Sequence, residues 1–310
     1  MKNIITYLFI VAAITLGACN SKTNAEKKKQ AKAQTEVTKS TIQLSKGNVE
    51  VFDYGTVKMH AYFTKDMMND LVIVLEKNGK AALIESPAFW DNYDEFRNYL
   101  STNNIIVEAI LPSYHPLGGN FIETEALKDI DVYFTQNVLD YWETGFGSVM
   151  KAGIPKAFGD KVDAQFYIPT KMIEEGEIEI AGIKIQITNT YDGYDIEIPE
   201  INTVYVHILG HDVHSEILGH EHLDLSIKHF KGYLSKGYTR FLSSHYGPEN
   251  KVDMETKVAY LENMEKIIAK SKTSDEFVKN MKTAYPDYKE GYLMASARSF
   301  YSNQAQGHQH

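Results

Sequence analysis

Two β-rich stretches, each followed by helical sequence, constrain what this chain can fold into more than any other feature. Residues 41–44, 48–52, 56–63, 71–76 and 81–85 read as successive strands, with Lys77-Asn78-Gly79-Lys80 as a turn. Residues 91–102 then set Tyr93, Phe96, Tyr99 and Leu100 at helical spacing behind Asp91, a capping residue, and the apolar run 105–111 follows. Strand-like alternation returns at 164–168, 177–180, 183–188, 194–198 and 203–209. Helices are expected at 223–236, 254–269, 274–284 and 288–300, with a strand at 240–244. Between the two stretches lie a helix expected over 136–142 and a loop through Gly145, Gly147 and Gly153. Each sheet must bury a face, so this order predicts an α/β chain with two sheets face to face and helices outside.

The first nineteen residues have the order of a secretory signal. Lys2 precedes an apolar stretch over 4–16 that ends in Leu16-Gly17-Ala18-Cys19. The stretch is too short to serve as a permanent helix across roughly 30 Å of hydrocarbon. Leu16-Gly17-Ala18-Cys19 resembles a bacterial lipobox, which implies lipidation of Cys19, the chain's one cysteine, and leaves no disulfide to support the fold. Asn20 in place of Asp after that cysteine resembles an outer-membrane sorting signal. Residues 20–40 are polar and lysine-rich, a composition that predicts a flexible tether. Residues 41–305 are left as one domain, held at a membrane through the lipid on Cys19. With 41 acidic residues against 32 basic, the chain offers no basic footprint for nucleic acid, and a small molecule is the expected partner.

Histidines recur just past expected strands, where a rigid scaffold presents functional groups. His115 lies in Ser113-Tyr114-His115-Pro116-Leu117-Gly118-Gly119, after the run ending near Leu111. His211, Asp212 and His214 occupy the turn Gly210-His211-Asp212-Val213-His214, and His245 follows the strand expected at 240–244. Imidazoles and a carboxylate on three strand ends suit a metal site across a sheet edge, since zinc takes nitrogen and oxygen ligands. His207, inside the strand expected at 203–209, is read as a satisfied strand residue. His220 and His222 are read as polar residues opening a helix, with Glu221 or Asp224 as carboxylates for a metal-bound imidazole. His60, His308 and His310 receive no site role.

Taken in order, these segments resemble the metallo-β-lactamase-fold hydrolases from about residue 45 to 300. The stretch 71–86 is similar to that family's first hairpin. His115 with Gly118-Gly119 is similar to its metal loop, shortened by two residues and without the Asp-His pair. Thr188-Asn189-Thr190-Tyr191-Asp192-Gly193 stands where the family has a Gly-His-Thr histidine. Gly210-His211-Asp212 is similar to the family's bridging-aspartate turn, and Ser244-His245-Tyr246-Gly247 to its last ligand. The resemblance implies a four-layer αββα sandwich with family ligand places kept at His115, Asp212 and His245. His211 and His214 would substitute for lost imidazoles, giving one zinc ion held by His115, His214, His245 and Asp212. Asp212 and His214 are then the expected catalytic groups, acting with metal-activated water on an ester, amide or phosphoester. The alternative that the same losses allow is a catalytically inactive ligand- or partner-binding module on the same fold.

Overall fold

The computed structural model describes residues 37–207 and 210–301. The signal at 1–19, Cys19 and most of the expected tether lie outside the described residues. The tether's last residues do not: β1 (Thr38–Gln43) begins three residues before the strand expected at 41–44 and pairs antiparallel with β2 (Asn48–Asp53). This pairing recruits Thr38, Lys39 and Ser40, whose polar composition predicts tether, into the strand that carries Ile42.

The described strands form two sheets of eight and six. In the first, β1, β2, β3 (Lys58–Phe63), β4 (Leu71–Lys77) and β5 (Lys80–Ile84) make an antiparallel meander. The β4–β5 turn takes the predicted Asn78-Gly79 residues, both at positive φ. Helix α1 (Trp90–Thr102) then crosses over, so that β6 (Ile106–Leu111) pairs parallel with β5. Asp91 does not cap α1; Phe89 is the N-cap, and Asp91 sits in the first turn, where its charge meets the helix dipole. Tyr93, Phe96, Tyr99 and Leu100 are buried as their spacing required.

The middle differs most from expectation. β7 (Asp131–Phe134) and the two-residue β8 (Lys171–Met172) extend the sheet in parallel. Helix α2 (Gln136–Thr144) is capped by Thr135. The glycine-bearing loop is in fact helix α3 (Phe146–Phe158), which tolerates Gly147, Gly153 and Pro155 because tertiary context overrides propensity. Residues 164–168 form no strand, only a bridge between Phe166 and Leu117.

In the second sheet β9 (Gly176–Ile180), β10 (Ile183–Asn189), β11 (Tyr194–Ile198) and β12 (Thr203–Tyr205) run antiparallel. Helix α4 (His220–Lys236) crosses over to β13 (Arg240–Leu242), parallel to β12, and β14 (Glu249–Asn250) closes the edge. Asn250 and Asp253 form a capping box on α5 (Lys251–Ile268). Helices α6 (Ser274–Ala284) and α7 (Leu293–Tyr301) complete the chain. Val204, Val206 and Phe241 of this sheet share a core with Leu223 and Phe230 of α4 and Met254, Leu261 and Met264 of α5. Tyr62 and Phe96 stack to fasten α1 to the first sheet. Every residue of β11 is buried, as a strand covered on both faces must be. The order is helix, sheet, sheet, helix, the predicted sandwich.

Candidate metal centre

Three strand tips converge at one edge of the sandwich. β6 of the first sheet leads to His115; the neighbouring parallel strands β12 and β13 of the second lead to His207 and His245. Their ring centroids are 5.3 Å apart for His115–His207, 4.7 Å for His115–His245 and 6.3 Å for His207–His245. One ring nitrogen from each lies within 4.8 Å of the other two, and among the described residues these three form the group able to share an ion.

A set of carboxylates holds the tips in place. Glu85, buried at the end of β5 and at φ 60°, accepts the backbone N–H groups of Tyr114 (2.8 Å) and His115 (3.2 Å). Tyr205, two residues before His207, places its hydroxyl 2.9 Å from Glu85 Oε1 and 3.0 Å from Ser244 Oγ, next to His245. One side chain thus reaches all three loops, directly or through Tyr205. Burial pushes the Glu85 carboxyl up to about 7 although these donors oppose it. The tight turn after His115 needs Gly118, at φ +87°, where a Cβ would stand 2.5 Å from Pro87 O.

Two of the imidazoles have a carboxylate behind them. His207 Nδ1 lies 2.6 Å from Asp192 Oδ2, and His245 Nδ1 lies 3.2 Å from Asp70 Oδ1. Nδ1 of His245 and Oδ1 of Asp70 are buried and complete no hydrogen bond. With Nδ1 of both rings facing a carboxylate, Nε2 is left to point elsewhere. Burial holds the His115 imidazole well below its usual range, and His245 and His207 reinforce this, so it is neutral and able to ligate. Burial acts on His207 too, but the Asp192 charge outweighs it and raises that imidazole. Burial alone would raise Asp192; His207 overcomes it and holds the carboxyl below its ordinary range. Three imidazoles, two of them backed by carboxylates, are a donor set that fits a divalent metal ion.

The structure brings His115 and His245 together and gathers His207 with them. His211, Asp212 and His214 are engaged elsewhere. Backbone and ring of His211 bond Glu249 Oε1, at 2.6 and 2.9 Å. Asp212 pairs with Lys289 at 2.9 Å on the surface, and His214 is buried 3.1 Å from the Tyr260 hydroxyl. The turn after Gly210 is led away by backbone bonds between Asp212, His214 and Lys289. The strand expected to run to residue 209 ends at Tyr205, so His207 stands at its tip rather than along it. The sequence held one signal for this: an imidazole ending the apolar run Val204-Tyr205-Val206 just ahead of Gly210. Asp192 was marked only by its place in a glycine turn where a ligand was sought. Asp70 and Glu85 carried no signal. His222 does open α4; its Nδ1 accepts Leu218 N–H at 3.1 Å and its ring stacks on Tyr191.

The αββα sandwich has the metallo-β-lactamase type of fold. A metallo-beta-lactamase family protein from Thermus thermophilus superposes with a TM-score of 0.52 at 14% identity, covering 87% of this chain and 93% of that one. A metallo beta lactamase from Erythrobacter litoralis does so with a TM-score of 0.50 at 12% identity, covering 72% of this chain and 100% of that one. At such identity the likeness is one of fold. No protein-family model matches the chain, and no curated protein does.

Proposed function

We propose that this protein is a metal-dependent hydrolase of small molecules, with one zinc ion held by His115, His207 and His245. The observation that carries this reading is the meeting of three imidazoles from three separate strand tips. Zinc in such a donor set supplies a water whose pKa is lowered to about 7 and a Lewis acid for a carbonyl or phosphoryl oxygen. The chain's own residues do the rest: Asp192 and Asp70 orient two rings, and Glu85 fixes the loop that bears the third. The cleft beside them, walled by Met68, Met150 and Ile217, shields the reacting ester, amide or phosphoester from bulk water. Zinc reconstitution followed by metal analysis tests this. About one equivalent is expected, absent from His115→Ala, His207→Ala and His245→Ala; a wild-type protein that retains no metal sinks the reading.

A binding module without catalysis is the second reading. It is favoured by the loop after His115, which is shortened and lacks an Asp-His pair, and by the stretch 188–193, which holds no histidine. Metal-dependent turnover abolished by His207→Ala excludes it.

The protein is further proposed to be exported and tethered to a bacterial membrane, the outer one where there are two, by a lipid on Cys19. The signal-like order of residues 1–19 supports this. Cys19→Ser should move the protein from the membrane fraction to the soluble one and end its labelling by radioactive fatty acid. Labelling that persists rejects the tether.

A further inference from the structure

The wall of the histidine cleft carries Glu216, half-buried between β12 and α4. Among the described residues its carboxylate makes no hydrogen bond and no ion pair, and it lines the same cleft as His207 and His245. The cleft's other carboxylate, Asp192, is committed to His207. Ile217, Phe230, Leu261 and Tyr292 give the cleft an apolar side beside Ser215, Ser226 and the imidazoles, and no lysine or arginine lines it.

This lining discriminates among ligands. A carboxylate or phosphate on the end of the substrate away from the scissile bond would meet the Glu216 charge with no lysine or arginine in the lining to offset it. A neutral apolar end would strip water from an unpaired carboxylate and give nothing back. An ammonium on a short hydrocarbon satisfies both the charge and the apolar wall. We infer that the cleft takes an amine-bearing ester or amide, its apolar end against Phe230 and Leu261 and its ammonium received by Glu216. The inference names the substrate class of the hydrolase site proposed above and rests on that reading.

Probe binding to the full chain separates the two. Hexylammonium, 1-hexanol and hexanoate are titrated calorimetrically into metal-free protein, so the comparison stands whether or not zinc binds. Hexylammonium is expected to bind at least about tenfold more tightly than hexanol, with hexanoate weakest. Glu216→Gln should erase that preference while leaving zinc content unchanged, and Glu216→Asp, which keeps the charge, should retain it. Equal binding of hexylammonium and hexanol would overturn the inference. So would a preference that survives in folded Glu216→Gln, or loss of zinc from that variant, which would make Glu216 a ligand instead.

Discussion

Nδ1 of His207 lies 2.6 Å from Oδ2 of Asp192, a buried carboxylate in the turn between β10 and β11. A ring so held presents its other nitrogen in one direction, and the tautomer is set by the carboxylate rather than by solvent. Asp192→Asn keeps the shape but loses the charge. Zinc affinity should fall by about 10- to 100-fold, read by competition with a chromophoric chelator. Unchanged affinity would show that Asp192 does not orient the ring.

The three residues drawn aside by their own partners give the matching contrast. His207→Ala should leave no tightly bound zinc, while His211→Ala and Asp212→Asn should bind it as the wild type does. Asp212 and Lys289 are a surface pair, so Asp212→Asn should cost under about 1 kcal/mol in urea unfolding.

Asp195 predicts a pH dependence of stability. It is buried and accepts hydroxyl bonds from Tyr114 and Tyr233 at 2.6 and 2.7 Å. Burial pushes its carboxyl from an ordinary 3.8 up to about 7, against those two hydrogen bonds. The folded protein therefore binds this proton more tightly than the unfolded chain. The stabilisation is complete below about pH 4 and is lost as pH rises through about 7, amounting to as much as about 4 kcal/mol. Asp195→Asn should flatten this part of the profile of unfolding midpoint against pH; an unaltered slope counts against the assignment.

Gly118→Ala places a Cβ where Pro87 O already stands and forces φ +87° on a residue that disfavours it. A destabilisation of at least about 2 kcal/mol is expected in thermal or urea unfolding. Zinc binding should weaken as well, because the same turn carries His115.

The sandwich was legible in the sequence because β4, β5 and the helix over 91–102 obey strong periodicities that burial enforces. Helix α3 was not, since Gly147, Gly153 and Pro155 lower its propensity and only packing restores it. In the site, His115 was legible through Gly118, whose backbone conformation the turn demands, and His245 through its place after β13. His207 was hidden by a strand read as running to residue 209: one that stops at Tyr205 changes an imidazole from a strand member to a tip. Which of the histidines in 207–214 faces His115 depends on where β12 parts from β13, and pairing between strands distant in sequence sets that point. The carboxylates Glu85 and Asp70 act through folded geometry alone, which no local pattern encodes.

His115 belongs to one sheet and His207 and His245 to the other, so the triangle straddles the seam between the two halves of the sandwich. An ion held there would act as a rivet through both plates: one sheet could not slide over the other without breaking it. Loaded protein should then lose its halves in a single step and withstand shear that the stripped protein does not.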